Sequence, residues 1–170
     1  MAQRGYPLVT DDFCVIGADA AGRRLVYPDG RLPKLWDQAI RRLDLADRQG
    51  PPVRGRLSKF YVDPPLASAS AAPLPCGPAY ALREARAPHR PGIQRPNIVD
   101  AALLLRHNAY RARLVRQMDQ TELYFQLAVA IGNAGGVFQL TRELDFDALP
   151  GVIGDLERHW AQLGRPAAVA

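Results

Sequence analysis

Near Ile98 the hydrophobic period of this chain changes. Before that point the apolar residues come mostly in short runs rich in β-branched and aromatic types, cut by Pro and Gly: Val15-Ile16, Leu25-Val26-Tyr27, Leu57 to Val62 and Ala79 to Leu82. After it they recur three and four residues apart, the spacing of an amphipathic helix. A chain that mixes the two periods must bury helix stripes against strand faces, so the predicted fold class is α/β.

The individual expectations follow from local chemistry. Strands are predicted at Arg23–Tyr27, Arg54–Val62, Ala79–Arg83 and Val137–Leu140. A short helix is predicted over 34–43, with Leu35, Ala39, Ile40 and Leu43 on one face and Arg41 and Arg42 outward. Asn97 is the expected N-cap of a helix that carries its apolar face through Val99, Ala102, Leu103, Leu105, Tyr110 and Leu114, placing His107 and Arg111 on one side. Further helices are expected over 119–133, ended by the glycines after it, and over 148–163, where Pro150 falls in the tolerant first turn.

With 170 residues, 48% of them hydrophobic, the chain suits one domain, 1–170, around one core. The Pro-, Ala- and Ser-rich stretch from Pro64 to Pro78 reads as a surface loop, since too little chain lies on either side for two cores. Net charge is +5, from 22 basic and 17 acidic residues, which suits an anionic partner. The basic residues are spread out and no zinc-finger or RNA-recognition signature occurs, so nucleic acid is a disfavoured partner. Cys14 and Cys76 lie far apart with no Cys-x-x-Cys pattern, as expected of thiols in a reducing compartment. No run approaches the roughly 20 apolar residues of a membrane helix, so no membrane partner and a cytoplasmic location are expected.

The chemically informative stretch is Gly5 to Gly17, where Asp11 and Asp12 stand between apolar residues predicted to form two short strands. Adjacent like charges are costly to bury, so such a pair holds a cation, shares a proton or faces solvent. One reading makes it a metal and general-base site, with one carboxylate orienting Mg²⁺ and the other accepting a proton. The other makes it an ordinary exposed turn. Lys59, and more weakly Arg56, are candidates to meet a phosphate from a basic strand, against a reading as solvated charges. For Trp36 a core or staple role outweighs contact with a ligand base. For His107 a bridging structural role outweighs substrate contact. The basic loop around Arg86, His89 and Arg90 reads as solvated, or as a contact for an acidic partner.

The run Arg4-Gly5-Tyr6-Pro7-Leu8-Val9-Thr10-Asp11-Asp12 resembles the segment after the phosphate-binding loop in the HPr serine kinase/phosphorylase family and its proteobacterial relatives. Leu32-Pro33-Lys34-Leu35-Trp36, Lys59-Phe60-Tyr61-Val62, Leu103 to Arg111 and Phe138-Gln139-Leu140 follow in the family's order. The resemblance implies a phosphoenolpyruvate carboxykinase-like P-loop kinase fold and phosphoryl transfer from ATP, with Mg²⁺, to a protein serine. It implies that Asp11 takes the serine proton, and that Asp12 assists or holds the metal. Family members assemble as hexamers, which implies a homo-oligomer.

The family's Gly-x-x-Gly-x-Gly-Lys-Ser/Thr, about twenty residues before the acidic pair, has no counterpart here. The chain is therefore expected to lack the first strand, the phosphate loop and the following helix. It would be a fragment or inactive, or else a non-catalytic remnant of the same fold that binds a partner.

Overall fold

The computed structural model describes residues 1–6, 8–63 and 72–164, and these fall into two compact units. Of these, residues 1–6, 8–18, 25–63 and 72–74 make the first, residues 19–24 and 75–164 the second. The fold is mixed α/β, with five α-helices and three small sheets among the described residues. None of those helices is long and apolar enough to cross a membrane. The first part of the expected Pro-, Ala- and Ser-rich loop, 64–71, lies outside the described residues, as do Pro7 and 165–170.

Strands β1 (Val15–Ala18), β2 (Arg24–Tyr27) and β6 (Leu74–Pro75) form one sheet in the order β1-β2-β6. In the first unit β3 (Lys34–Trp36), β4 (Gln49–Pro52) and β5 (Lys59–Val62) make an antiparallel sheet in the order β3-β5-β4. Helix α1 (Asp37–Arg42) follows β3 directly. The expected helix over 34–43 is thus half correct. Its first three residues are drawn into pairing with β5, and Asp37 N–H donates to the Ser58 carbonyl at 2.9 Å where the helix starts.

Period-two alternation then divides the β3–β5 pair into two chemically distinct faces. Leu35 pairs with Phe60, and both pack with Leu43 against Ile40, Leu45 and Val62, which are 0%, 7% and 2% exposed. Lys34, Trp36, Lys59 and Tyr61 take the opposite face, in the registers Lys34 with Tyr61 and Trp36 with Lys59. Strand β4 was hidden by its sequence, Gln49-Gly50-Pro51-Pro52. Prolines donate no ladder hydrogen bond and survive here because β4 is an edge strand with a register shift.

The second unit is built on β7 (Ala79–Glu84), β8 (Gly92–Gln94) and β9 (Val137–Arg142), in the order β7-β9-β8. Strand β9 runs parallel to β7 and antiparallel to β8. As the central strand it is covered nearly throughout, with Val137, Phe138, Leu140 and Thr141 all 5% exposed or less. Buried strands of this kind read as apolar runs, which is why Val137-Phe138-Gln139-Leu140 was recognisable. Gly136 enters β9 at φ +109°, and a Cβ there would come within 2.7 Å of the Phe138 ring, so both backbone and packing require glycine.

Helices α2 (Ile98–His107), α3 (Ala112–Gln117), α4 (Thr121–Ala134) and α5 (Leu149–Gln162) complete the unit. Asn97 caps α2 as expected, its side chain accepting from Asp100 N–H at 2.9 Å. The long helix expected beyond His107 is broken. Asn108 turns back to the Leu104 carbonyl through its side chain at 2.8 Å, and Arg111 takes φ +54° before α3 begins. His107 and Arg111 therefore sit on different elements and share no helix side.

Candidate functional site

The acidic pair does not stand at the end of a strand. Residues 8–14 are irregular, Asp11 and Asp12 occupy a bend, and β1 starts only at Val15. Side-chain hydrogen bonds replace the expected ladder: the Thr10 hydroxyl donates to the Phe13 carbonyl and meets Asp29 Oδ2 at 3.2 Å. Thr, Asp and Asn compete with regular structure in this way. Asp29 also accepts from Arg31 N–H at 3.0 Å, and that bond chiefly lowers its pKa. The 8–13 bend and the 29–31 turn are thus tied to each other within the first unit.

One residue meets both carboxylates. Lys34 donates its backbone N–H to Asp11 Oδ2 at 3.2 Å and its ammonium group to Asp12 Oδ2. The Lys34 side chain is only 18% exposed, whereas that of Asp12 is 50% exposed. The lysine is therefore the covered anchor and the carboxylate the accessible side of the pair. The hydrogen bond from Lys34 and then its charge hold the Asp12 carboxyl below its ordinary value, with Lys59 and Arg31 adding to the effect. Lys34 is raised reciprocally by Asp12. Lys34 and Lys59 share the polar face of β3 and β5, and Asp12 meets the first of them.

The placement of the sequence candidates follows. Asp11, Asp12 and Lys59 converge on that face, whereas Arg56 is exposed in the turn before β5, because the expected strand over 54–62 becomes regular only at Lys59. Trp36 is 54% exposed, and the Lys59 ammonium lies 5.9 Å from the centre of its ring. The core role expected for Trp36 is not what the structure shows, because alternation gives the core side to Leu35. Sequence reasoning misses Lys34, because helical spacing places it at the start of the helix expected over 34–43. The signal was present in the alternation of Lys34, Leu35 and Trp36.

Each carboxylate keeps one oxygen, Oδ1, that makes no hydrogen bond among the described residues. Mg²⁺ is commonly held by one or two carboxylates together with substrate phosphates, so this donor set fits such an ion. No group of three or more His, Cys, Asp or Glu comes together among the described residues, so an all-protein cage is not formed there.

The Lys34 to Asp12 pair sets a pH window. A lowered Asp12 contributes stability above the ordinary aspartate pKa of about 3.9, lost as pH falls through the folded value. A raised Lys34 contributes stability below the ordinary lysine pKa of about 10.4, lost as pH rises through the folded value. Lys34→Met is expected to return the Asp12 midpoint upward toward the ordinary range, read from its side-chain carboxyl ¹³C shift during acid titration. An unmoved midpoint would show that Lys34 is not the cause.

Compared with protein-family models, curated proteins and solved structures, the chain matches none.

Proposed function

We propose that this chain is an HPr kinase-like, ATP-dependent protein serine kinase with a phosphoenolpyruvate carboxykinase-like P-loop fold. The observation that carries the reading is the acidic pair tethered by Lys34, with a carboxylate oxygen of each Asp left outward and Lys59 and Arg31 acting on Asp12. Support for the fold comes from the parallel β7–β9 pair, linked through helices as in α/β proteins.

In this reading Asp11 accepts the proton of the serine hydroxyl as it attacks. Asp12, kept ionised by Lys34, is the residue toward Mg²⁺. Bound with ATP, that ion would neutralise charge on the phosphates. Lys59 offers a cation to the phosphoryl oxygens, where transition-state charge spreads. Trp36, exposed beside it, offers a ring face to the base of the nucleotide. The phosphate-cradling Gly-rich loop is not among these 170 residues, so they supply the carboxylates and cations alone.

A second reading keeps the fold and drops the chemistry: a partner-binding relative that does not turn over ATP. It is favoured by the ion pair itself, since Asp12 is already neutralised by Lys34. Calorimetry of Mg-ATP binding to the whole chain separates the two. The kinase reading expects binding that Asp11→Asn or Asp12→Asn weakens about tenfold, roughly 1.4 kcal/mol. No binding by a folded sample rejects it and leaves the second.

A further inference from the structure

The second unit contains a cavity of about 330 Å³ that plays no part in the acidic site. Its floor is the sheet and its wall is α2. Arg83 from β7, Gln94 from β8 and Gln139 from β9 line one side, and Asp100, Leu103, Leu104 and His107 the other. Register explains the grouping: Gln139 pairs with Ala81 and with Gln94, so Arg83, two residues beyond Ala81, shares their face. Tyr80, Phe138 and Leu140 take the opposite face, and Tyr80 and Phe138 meet His159 of α5 there.

Arg83 is the informative residue. It is half-buried on an inner face of the unit, yet no carboxylate among the described residues lies within ion-pair distance of it. Its one polar side-chain contact among the described residues is a long one, 3.4 Å, to His89 Nδ1. The acidic group in the lining, Asp100, is engaged by the Asn97 side-chain amide at 2.9 Å and belongs to the cap of α2. A guanidinium so placed offers paired N–H donors to an anion. Arg95 borders the cavity, but its guanidinium stands 5.9 Å from the centre of the Phe138 ring, on the other side of the sheet, so Arg83 is the cation of this face. His107 adds a ring nitrogen from the helix side.

We infer that this cavity binds a small phosphate monoester. The phosphate is met by Arg83 with His107, and the amides of Gln94 and Gln139 hydrogen-bond hydroxyls of the organic part. Leu103 and Leu104 cover a carbon backbone of a few atoms, and the volume sits at the lower end of those that hold small molecules, about 300–1,000 Å³. The inference does not rest on the kinase reading, since every residue involved belongs to the second unit.

The test is calorimetry of the whole chain with glycerol 3-phosphate, inorganic phosphate, glycerol and succinate at matched ionic strength. Saturable binding of glycerol 3-phosphate is expected, at least about tenfold tighter than inorganic phosphate, with glycerol silent. Arg83→Gln should weaken it tenfold or more, and Arg158→Gln, an exposed change on α5, should leave it unchanged. Should Arg83→Gln fail to fold, His107→Gln at the exposed rim should weaken binding severalfold. Absence of saturable phosphate-ester binding overturns the proposal. So does undiminished affinity in a folded Arg83→Gln or His107→Gln variant, an equal loss in Arg158→Gln, or succinate binding as tightly as the ester.

Discussion

Phe138→Ala is expected to cost the second unit about 3–5 kcal/mol, the range for emptying a buried aromatic site. Phe138 is 3% exposed in the central strand, stacked on Tyr80 at 5.4 Å between ring centres and edge-on to His159 at 4.5 Å. Tyr80 and His159 are themselves joined by a 2.7 Å hydrogen bond between the hydroxyl and Nδ1. Removing the ring takes away the surface that holds this pair on the sheet, and the close approach at Gly136 leaves no side chain to fill the gap. Amide exchange along β9 is the measurement, with Leu82→Ala as comparison. Leu82 is 61% exposed, so its loss should fall within about 0.5 kcal/mol. Equal protection in the two variants would mean that β9 does not carry the unit.

What could be read from the sequence depended on how local the cause was. Helices α2, α4 and α5 announce themselves through period, and α2 also through its Asn97 cap, because these signals act within a few residues. The break at Arg111 did not, since nothing in an arginine side chain advertises a positive φ. Strand β8, only Gly92-Ile93-Gln94, is too short to show alternation, and it exists because β9 offers it a ladder. At the candidate site the residue types were visible and their assembly was not. Asp11 and Asp12 are adjacent by sequence, but the lysine that meets both lies at 34, and only strand pairing decides that Lys34 and Lys59 share a face.

Ile40→Ala is expected to destabilise the first unit by about 2–5 kcal/mol, and to loosen the acidic site although Ile40 packs in the apolar cluster on the other side of β3 and β5. Ile40 is fully buried, and its cluster includes Leu35 of β3 and Phe60 and Val62 of β5. Those side chains fix the apolar side of the two strands whose opposite side presents Lys34, Trp36, Lys59 and Tyr61. Void left by the missing atoms therefore weakens the platform from behind, while the charges themselves are untouched. Ile40→Val keeps most of the volume and should cost about 0.5–1.5 kcal/mol. Urea titration followed by residue-resolved amide signals reads both effects. Lys34 and Tyr61 are expected to lose protection together with Val62 in Ile40→Ala and to keep it in Ile40→Val. Were Val62 to lose protection while Lys34 and Tyr61 kept theirs, the polar face would owe its order to the Lys34 ion pair, and not to the core beneath it.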